Sequence, residues 1–272
     1  MEKIALISDI HSNIVALKAV LEDIESRGIT RIFCLGDIVL KGSSPCETLD
    51  LIRNKCEVII KGNCDNYAVN PNYNNPTENH LYHRKWYNNI LGEERIEYLR
   101  NLPMYMDLYI SGSLVRMFHA TKNDLDYRIF DISSIEEKMK LFEDEASIPD
   151  VVIYADIHKQ YLQKIVNKTI INIGSVGNSF DVIRNKNKDS NTLETTKSNY
   201  LIIEGEYGSK EYSSDISFQF IKVPYDIEKE LEDENLNIEK ENYRYELEQG
   251  MYRNMTKINE NFRALGIDVD KI

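Results

Sequence analysis

Ile4-Ala5-Leu6-Ile7-Ser8-Asp9-Ile10-His11 is an apolar run that stops at a carboxylate and, two residues later, an imidazole. Strands buried on both faces read as continuous apolar runs, and open α/β sheets bind ligands beyond the carboxyl ends of their strands. Asp9 and His11 therefore stand where chemistry is expected, as candidate metal ligands on a strand end. Alone the pair is ambiguous, because an Asp capping the next turn beside a satisfied His has the same signature. The neighbouring sequence repeats the pattern. Ser12 or Asn13 can cap a helix whose apolar positions Ile14, Leu17, Val20, Leu21 and Ile24 share one face, with Gly28 as its stop. Arg31 to Leu35 reads as a second strand running into Gly36-Asp37. Ser44-Pro45 opens a helix through about Arg53, and Val58-Ile59-Ile60 is a third strand ending in Gly62-Asn63-Cys64-Asp65. Right-handed strand-helix-strand units place parallel strands side by side with their C-terminal ends on one edge, so these side chains are expected to converge.

Farther on, the Asn/Pro/Tyr-rich residues 70–79 read as a loop, and His80 to Leu102 as a helix ending before Pro103, an inserted cap of about 70–102. His80, His83 and Trp86 lie there at helical spacing and read as surface histidines and a packing anchor ahead of any catalytic part. Tyr105 to Ile110 and Leu114 to Phe118 read as a hairpin that ends in His119. The next loop carries Lys122 and Arg128, candidate phosphate contacts or solvated charges. A helix over Ser134 to Glu143 precedes the strand Val151 to Tyr154, which ends in Ala155-Asp156-Ile157-His158. Strands follow at Leu162 to Val166 and Thr169 to Ile173, and the amides of Gly174-Ser175-Val176-Gly177 either face an anion or turn the chain. Residues 185–198 are polar and predict a mobile loop, before strands at Tyr200 to Glu204 and Ile216 to Val223. Residues 1–225 form the main domain. From Asp226 to Ile272 the chain is charged and helical in pattern, with apolar stripes from Ile227 and Leu231 through Ile238, Tyr245, Leu247, Met251, Met255 and Ile258 to Phe262, a C-terminal extension expected to pack on the domain or on a partner chain as a homo-oligomer.

The formal net charge of -12 argues against non-specific binding to nucleic acid or anionic membranes, so a small anionic substrate would need local positive charge, which divalent metal provides. No segment approaches the length of a membrane span, and the first apolar run is too short for a signal-peptide core, so a cytoplasmic protein is expected. Cys34, Cys46, Cys56 and Cys64 form no C-x-x-C pair, and none is followed six positions later by Arg, which removes a cysteine-nucleophile phosphatase loop. No G-x-G-x-x-G follows any strand, which removes a dinucleotide fold of the Rossmann kind.

Taken in order, Asp9-x-His11, Gly36-Asp37, Gly62-Asn63-Cys64-Asp65, His119 and Asp156-x-His158 resemble the calcineurin-like metallophosphoesterases, whose blocks run Asp-x-His, Gly-Asp, Gly-Asn-His/Cys-Asp/Glu, His and Gly-His-x-His. Asn172-Ile173-Gly174-Ser175 is similar to that family's Asn-Pro-Gly-Ser turn. The resemblance implies an α/β fold, a two-sheet α/β/β/α sandwich with a helical cap and C-terminal helices. It implies two divalent ions about 3.5 to 4 Å apart, bridged by Asp37. Asp9, His11 and His158 would complete the first ion, and Asn63, His119 and Asp156 the second, with Asp37, Asn63, Cys64 and Asp65 as the catalytic block. The implied reaction is hydrolysis of a phosphate ester by a metal-bridging hydroxide.

Two departures shape the expectation. Asp156 stands where the family commonly has His, which favours Mn²⁺ or Fe over Zn²⁺. Cys64 stands where many members carry a proton-donating His, which favours a good leaving group and tilts the reading to phosphodiesters of nucleotides or other small phosphate esters. Hydrolysis of dinucleoside polyphosphates or phosphoproteins is the alternative within the class, and a metal-binding scaffold of the same fold is the alternative outside it.

Overall fold

The computed structural model describes residues 1–144, 146–180, 197–212, 214–232 and 240–249. The predicted mobile loop therefore falls outside the described residues from 185 to 196, as do Ile238, Met251, Met255, Ile258 and Phe262 of the C-terminal stripe.

Alternation along the first strand sets the layers. In β1 (Glu2–Ile7), Ile4 and Leu6 point into one apolar cluster while Ala5 and Ile7 point into another, as the two-residue period of a strand requires. The Ile4 side joins Phe33, Val115, Ile153, Ile171 and Leu201, which come from both sheets, and so fills the space between them. The Ala5 side joins Leu17, Val20, Leu49 and Leu99 from helices α1 (Ile14–Ser26), α2 (Pro45–Lys55) and α4 (Glu78–Arg100). Beyond the second sheet, Phe118, Val152, Tyr154 and Ile170 pack on Leu141 and Phe142. The order is helices, sheet, sheet, helices, the expected sandwich.

The first sheet adds β2 (Arg31–Cys34), β3 (Val58–Ile59), β9 (Ser198–Gly205) and β10 (Ser217–Val223) in the order β10-β9-β1-β2-β3. β1, β2 and β3 are parallel, with Ile7 opposite Cys34 and Cys34 opposite Ile59, so their C-terminal ends lie level. The second sheet contains β4 (Tyr105–Ile110), β5 (Ser113–Phe118), β6 (Val151–Tyr154), β7 (Gln160–Ile165) and β8 (Lys168–Ile173) in the order β4-β5-β6-β8-β7. Its centre, β5-β6-β8, is also parallel, and Met117 lies opposite Ile153. Ser111 (φ 47) and Gly112 (φ 83) make the tight β4-β5 turn, the doubly positive φ pair whose twist matches that of a hairpin.

Several boundaries differ from the sequence reading, most of them by one or two residues. The ladder of β3 stops at Ile59, although the Ile60 amide still donates to the Cys34 carbonyl at 2.8 Å. The helix expected over Ser134 to Glu143 is α5 (Ile135–Met139) followed by a 3-10 turn over Lys140–Phe142. The cap helix α4 starts at Glu78, behind a Thr77 cap, and is interrupted at Gly92 (φ 72, ψ 167), a conformation that glycine reaches without a Cβ clash. α4 packs on α2 and on the short helix α3 (Asn63–Val69), while α6 (Ile227–Leu231) packs on α1 and α7 (Lys240–Gln249) on α6.

Candidate metal centre

Three of the strand ends that carry ligand-type side chains, those after β1, β2 and β6, leave their sheets through strained backbone. Asp9 (φ 52), His11 (φ 52), Asp37 (φ 52), Asp156 (φ 63) and His158 (φ 58) are all left-handed, a conformation that costs a residue with a Cβ on the order of 1–3 kcal/mol. Hydrogen bonds between the loops hold them there. The Asp9 and His11 amides donate to the Gly36 and Asp37 carbonyls, each at 3.0 Å, and the Asp156 amide donates to Asp9 Oδ2 at 3.3 Å. Gly62 is required by the packing of the second and third loops, since a Cβ there would collide with Asp37 Oδ1. The Gly174 to Gly177 run turns the chain: its Val176 and Gly177 amides are taken by the Ser8 and Asp9 carbonyls, each at 2.9 Å, and Ser175 Oγ donates to the Asp9 carbonyl at 2.8 Å.

The loops bring three imidazoles and three carboxylates together. His11 Nε2 lies 3.1 Å from His158 Nε2 and 3.8 Å from both Asp9 Oδ1 and Asp37 Oδ2. His158 Nε2 is 3.2 Å from Asp9 Oδ1. His119 Nε2 lies 3.4 Å from Asp37 Oδ1, 3.0 Å from Asn63 Oδ1, 3.9 Å from Asp9 Oδ1 and 3.8 Å from Asp156 Oδ1. The other ring nitrogens point outward: His119 Nδ1 donates to the Leu35 carbonyl at 2.8 Å and His158 Nδ1 to the Asn178 carbonyl at 2.5 Å. Those bonds fix the tautomer that leaves each Nε2 lone pair facing the cluster, the arrangement in which imidazoles bind metal.

Without a cation this cluster is electrostatically unsettled. Burial would lower the pKa of His119, but the Asp37 carboxylate beside it, with Asp9 and Asp156, raises it to about 10. Burial likewise pushes Asp37 up, and the neighbouring His119 and His11 imidazoles outweigh it and hold the carboxyl well below the usual range. His11 goes the other way, lowered first by burial and next by Lys41. Asp9 Oδ1, fully buried between three imidazoles, accepts no hydrogen bond from any of the described residues. An orphaned buried carboxylate oxygen among inward Nε2 atoms is satisfied by a divalent cation. Ligand atoms of Asp9, His11 and His158, of Asp9, Asp37 and His119, and of His11, Asp37 and Cys64 each lie within 4.8 Å of one another, so the donor set fits metal.

The remaining site candidates divide. Arg128 Nε donates to both oxygens of Asp156, at 2.9 and 3.2 Å, so this carboxylate faces His119 on one side and a guanidinium on the other. The added negative charge that Asp brings at this position is thus offset within the protein. Asp65 turns away from the cluster: Oδ1 accepts the Ile38 and Val39 amides at 2.9 and 3.3 Å and Oδ2 accepts the Gly62 amide at 2.9 Å, which ties α3 to the Asp37 loop. Burial, then the nearby Asp37 charge, pushes its carboxyl up to about 7. Cys64 gives its backbone amide to Asp37 Oδ1 at 2.7 Å, while burial raises its thiol well above the ordinary range. Lys122 is not brought to the site; its ammonium pairs with Asp144 at 2.6 Å and lies over the Tyr105 ring.

A cavity of about 200 Å³ opens above the cluster, with His11, Asp37, Asn63 and His158 at its floor. Its walls add residues that the sequence reading did not single out: Lys41, Tyr67, Arg84, Tyr87 and Glu246. Three were signalled by spacing. His80, His83, Arg84 and Tyr87 fall on one face of α4, and Tyr67 lies one turn beyond Asn63 on α3. Lys41 and Glu246, paired at 3.5 Å, are brought there by contacts between distant segments and had no local signal.

Residues 2–215 match the calcineurin-like phosphoesterase superfamily domain. The chain belongs to that superfamily. An uncharacterised protein of Methanocaldococcus jannaschii is 31% identical over 258 residues, covering 84% of this chain and 90% of that one. Among solved structures, a hypothetical protein from Pyrococcus horikoshii superposes with a TM-score of 0.73 at 21% identity, over 93% of this chain and 100% of that one. A metallophosphoesterase from Sphaerobacter thermophilus gives 0.61 at 22% identity, over 84% and 91%. Both share the fold of the superfamily member described here. Among the described residues no helix is long and apolar enough to cross a membrane.

Proposed function

We propose that this superfamily member is a hydrolase of small phosphate esters, a phosphodiesterase of a nucleotide or similar compound, that works with two divalent cations and favours Mn²⁺ or Fe. The observation that carries the reading is the buried convergence of Asp9, Asp37, His11, His119 and His158, with Asp9 Oδ1 lacking a hydrogen bond among the described residues, on the floor of an open cavity. When bound, such cations activate water and offset charge on the phosphoryl oxygens. Asp9, His11 and His158 would hold one, Asn63, His119 and Asp156 the other, with Asp37 between them. Arg128, oriented by Asp156, is available to a phosphoryl oxygen at the cavity wall. In the reaction water adds to phosphorus, the ester P–O bond breaks, and the departing oxygen takes up a proton. Cys64, a half-buried thiol whose pKa burial raises, stands at the position where the family resemblance puts an imidazole that supplies that proton, so esters with good leaving groups are turned over best. The acidic surface and four unpaired thiols support a cytoplasmic enzyme.

Metal analysis of protein purified without chelator, followed by assays of phosphomonoesters and phosphodiesters with Mn²⁺ added, tests the reading. Metal near two equivalents and hydrolysis of an activated diester are expected. Bound metal together with inactivity toward every ester would leave the metal-binding scaffold reading in its place, and absence of both would overturn either reading.

A further inference from the structure

The cavity above the metal cluster is lined by cations that carboxylates offset unequally. Three cationic side chains line it, and two have carboxylate partners: Arg128 with Asp156 at 2.9 Å and Lys41 with Glu246 at 3.5 Å. Arg84 differs. Among the described residues no carboxylate lies within ion-pair distance of its guanidinium, and Asp126, whose field reaches it, is engaged by the Tyr67 hydroxyl. Its position is nevertheless fixed. The guanidinium stacks on the Tyr67 ring at 3.8 Å, and Nη1 donates to the Tyr73 carbonyl at 2.6 Å and to that of Pro71 at 3.4 Å. A charged fork held rigid at a half-buried wall, with burial already working against its charge, is organised for an anion before one arrives. His80 and His83 stand beside it on the same helical face and line the same cavity.

We propose that Arg84, with His80 and His83, forms a second anion subsite, so that the substrate class is a phosphate ester whose organic part carries a further phosphoryl group. This rests on the hydrolase reading only for which phosphate is cleaved; the subsite itself is a binding claim.

The test compares thymidine 5′-phosphate with thymidine 3′,5′-bisphosphate by titration calorimetry on Mn²⁺-loaded protein. A charge-assisted bidentate contact corresponds to about tenfold or more in affinity, so the wild type is expected to favour the bisphosphate by at least that factor. Arg84→Gln is expected to bring the two ligands within about threefold, and Arg84→Lys, which keeps charge but loses the fork, to fall between. A wild type that binds both equally, or a preference that survives in both variants, overturns the subsite. Hydrolysis of bis(p-nitrophenyl) phosphate by the wild type, run in parallel, separates the two claims. Turnover without bisphosphate preference removes the subsite alone, and preference without turnover leaves the subsite standing while the hydrolase reading fails.

Discussion

Asp37 is the residue with the most to lose. Its carboxylate faces His119 at 3.4 Å and His11 at 3.8 Å and accepts the Cys64 amide, so it both gathers donors and anchors the start of α3. Asp37→Asn keeps the size and the acceptor oxygen while removing the charge. It should abolish turnover and weaken metal binding by more than the ~10–100-fold typical of changes around a ligand, with the circular dichroism spectrum unchanged. Activity near wild type in that variant would refute the two-cation mechanism. Asp156 poses a subtler case, because Arg128 shares it. Asp156→His should retain two bound metals and move their preference toward Zn²⁺ or Co²⁺, since imidazole is the softer donor, whereas Asp156→Ala should lose one metal first. Identical stoichiometry and preference in all three proteins would show that Asp156 serves Arg128 only. At this scale the types and positions of the clustered residues were legible, because each follows an apolar run that must be a strand. The direction in which a side chain points was not. Asp65 faces backbone amides, and Lys122 and Arg128, six residues apart in one loop, take different carboxylates.

Among the elements, α4 is the one whose pattern is least regular. Its break at Gly92 lies in left-handed backbone with nothing within 4 Å of a would-be Cβ, so only conformation opposes a larger residue there. Gly92→Ala is expected to cost about 1 kcal/mol in urea unfolding. A gain instead would mean that the break is incidental and that the helix can run straight. Asp65→Ala is expected to cost more, about 3 kcal/mol, since three buried amides at Ile38, Val39 and Gly62 lose their acceptor together. Sequence periodicity found α1, α2 and the parallel strands because burial on a stripe or on both faces writes a period into the chain. It found α4 to within two residues at each end but not its break, because a lone glycine in a helical pattern is compatible with both. The far side of the cavity wall was the least legible part, since Lys41 and Glu246 meet through tertiary placement and not through local spacing.

For the whole molecule, the centre draws donors from both sheets: Asp9, His11, Asp37 and Asn63 follow strands of the first, and His119, Asp156 and His158 follow strands of the second. A cation bound there should stabilise the folded chain alone. At a hundredfold excess over its Kd, Mn²⁺ is expected to raise the Tm of chelator-treated protein by about 5–10 °C, read by differential scanning fluorimetry. An unchanged Tm would argue against a site formed only in the native state. The left-handed backbone at Asp9, His11, Asp37, Asp156 and His158 has an evolutionary side as well. Glycine or asparagine at these positions would relieve strain, and at Asp9 would also remove a buried charge, against the ~0.5–1 kcal/mol that glycine costs in chain entropy. A lineage released from its chemistry but still selected to fold would drift toward those residues first, and would become sturdier without metal as it did so.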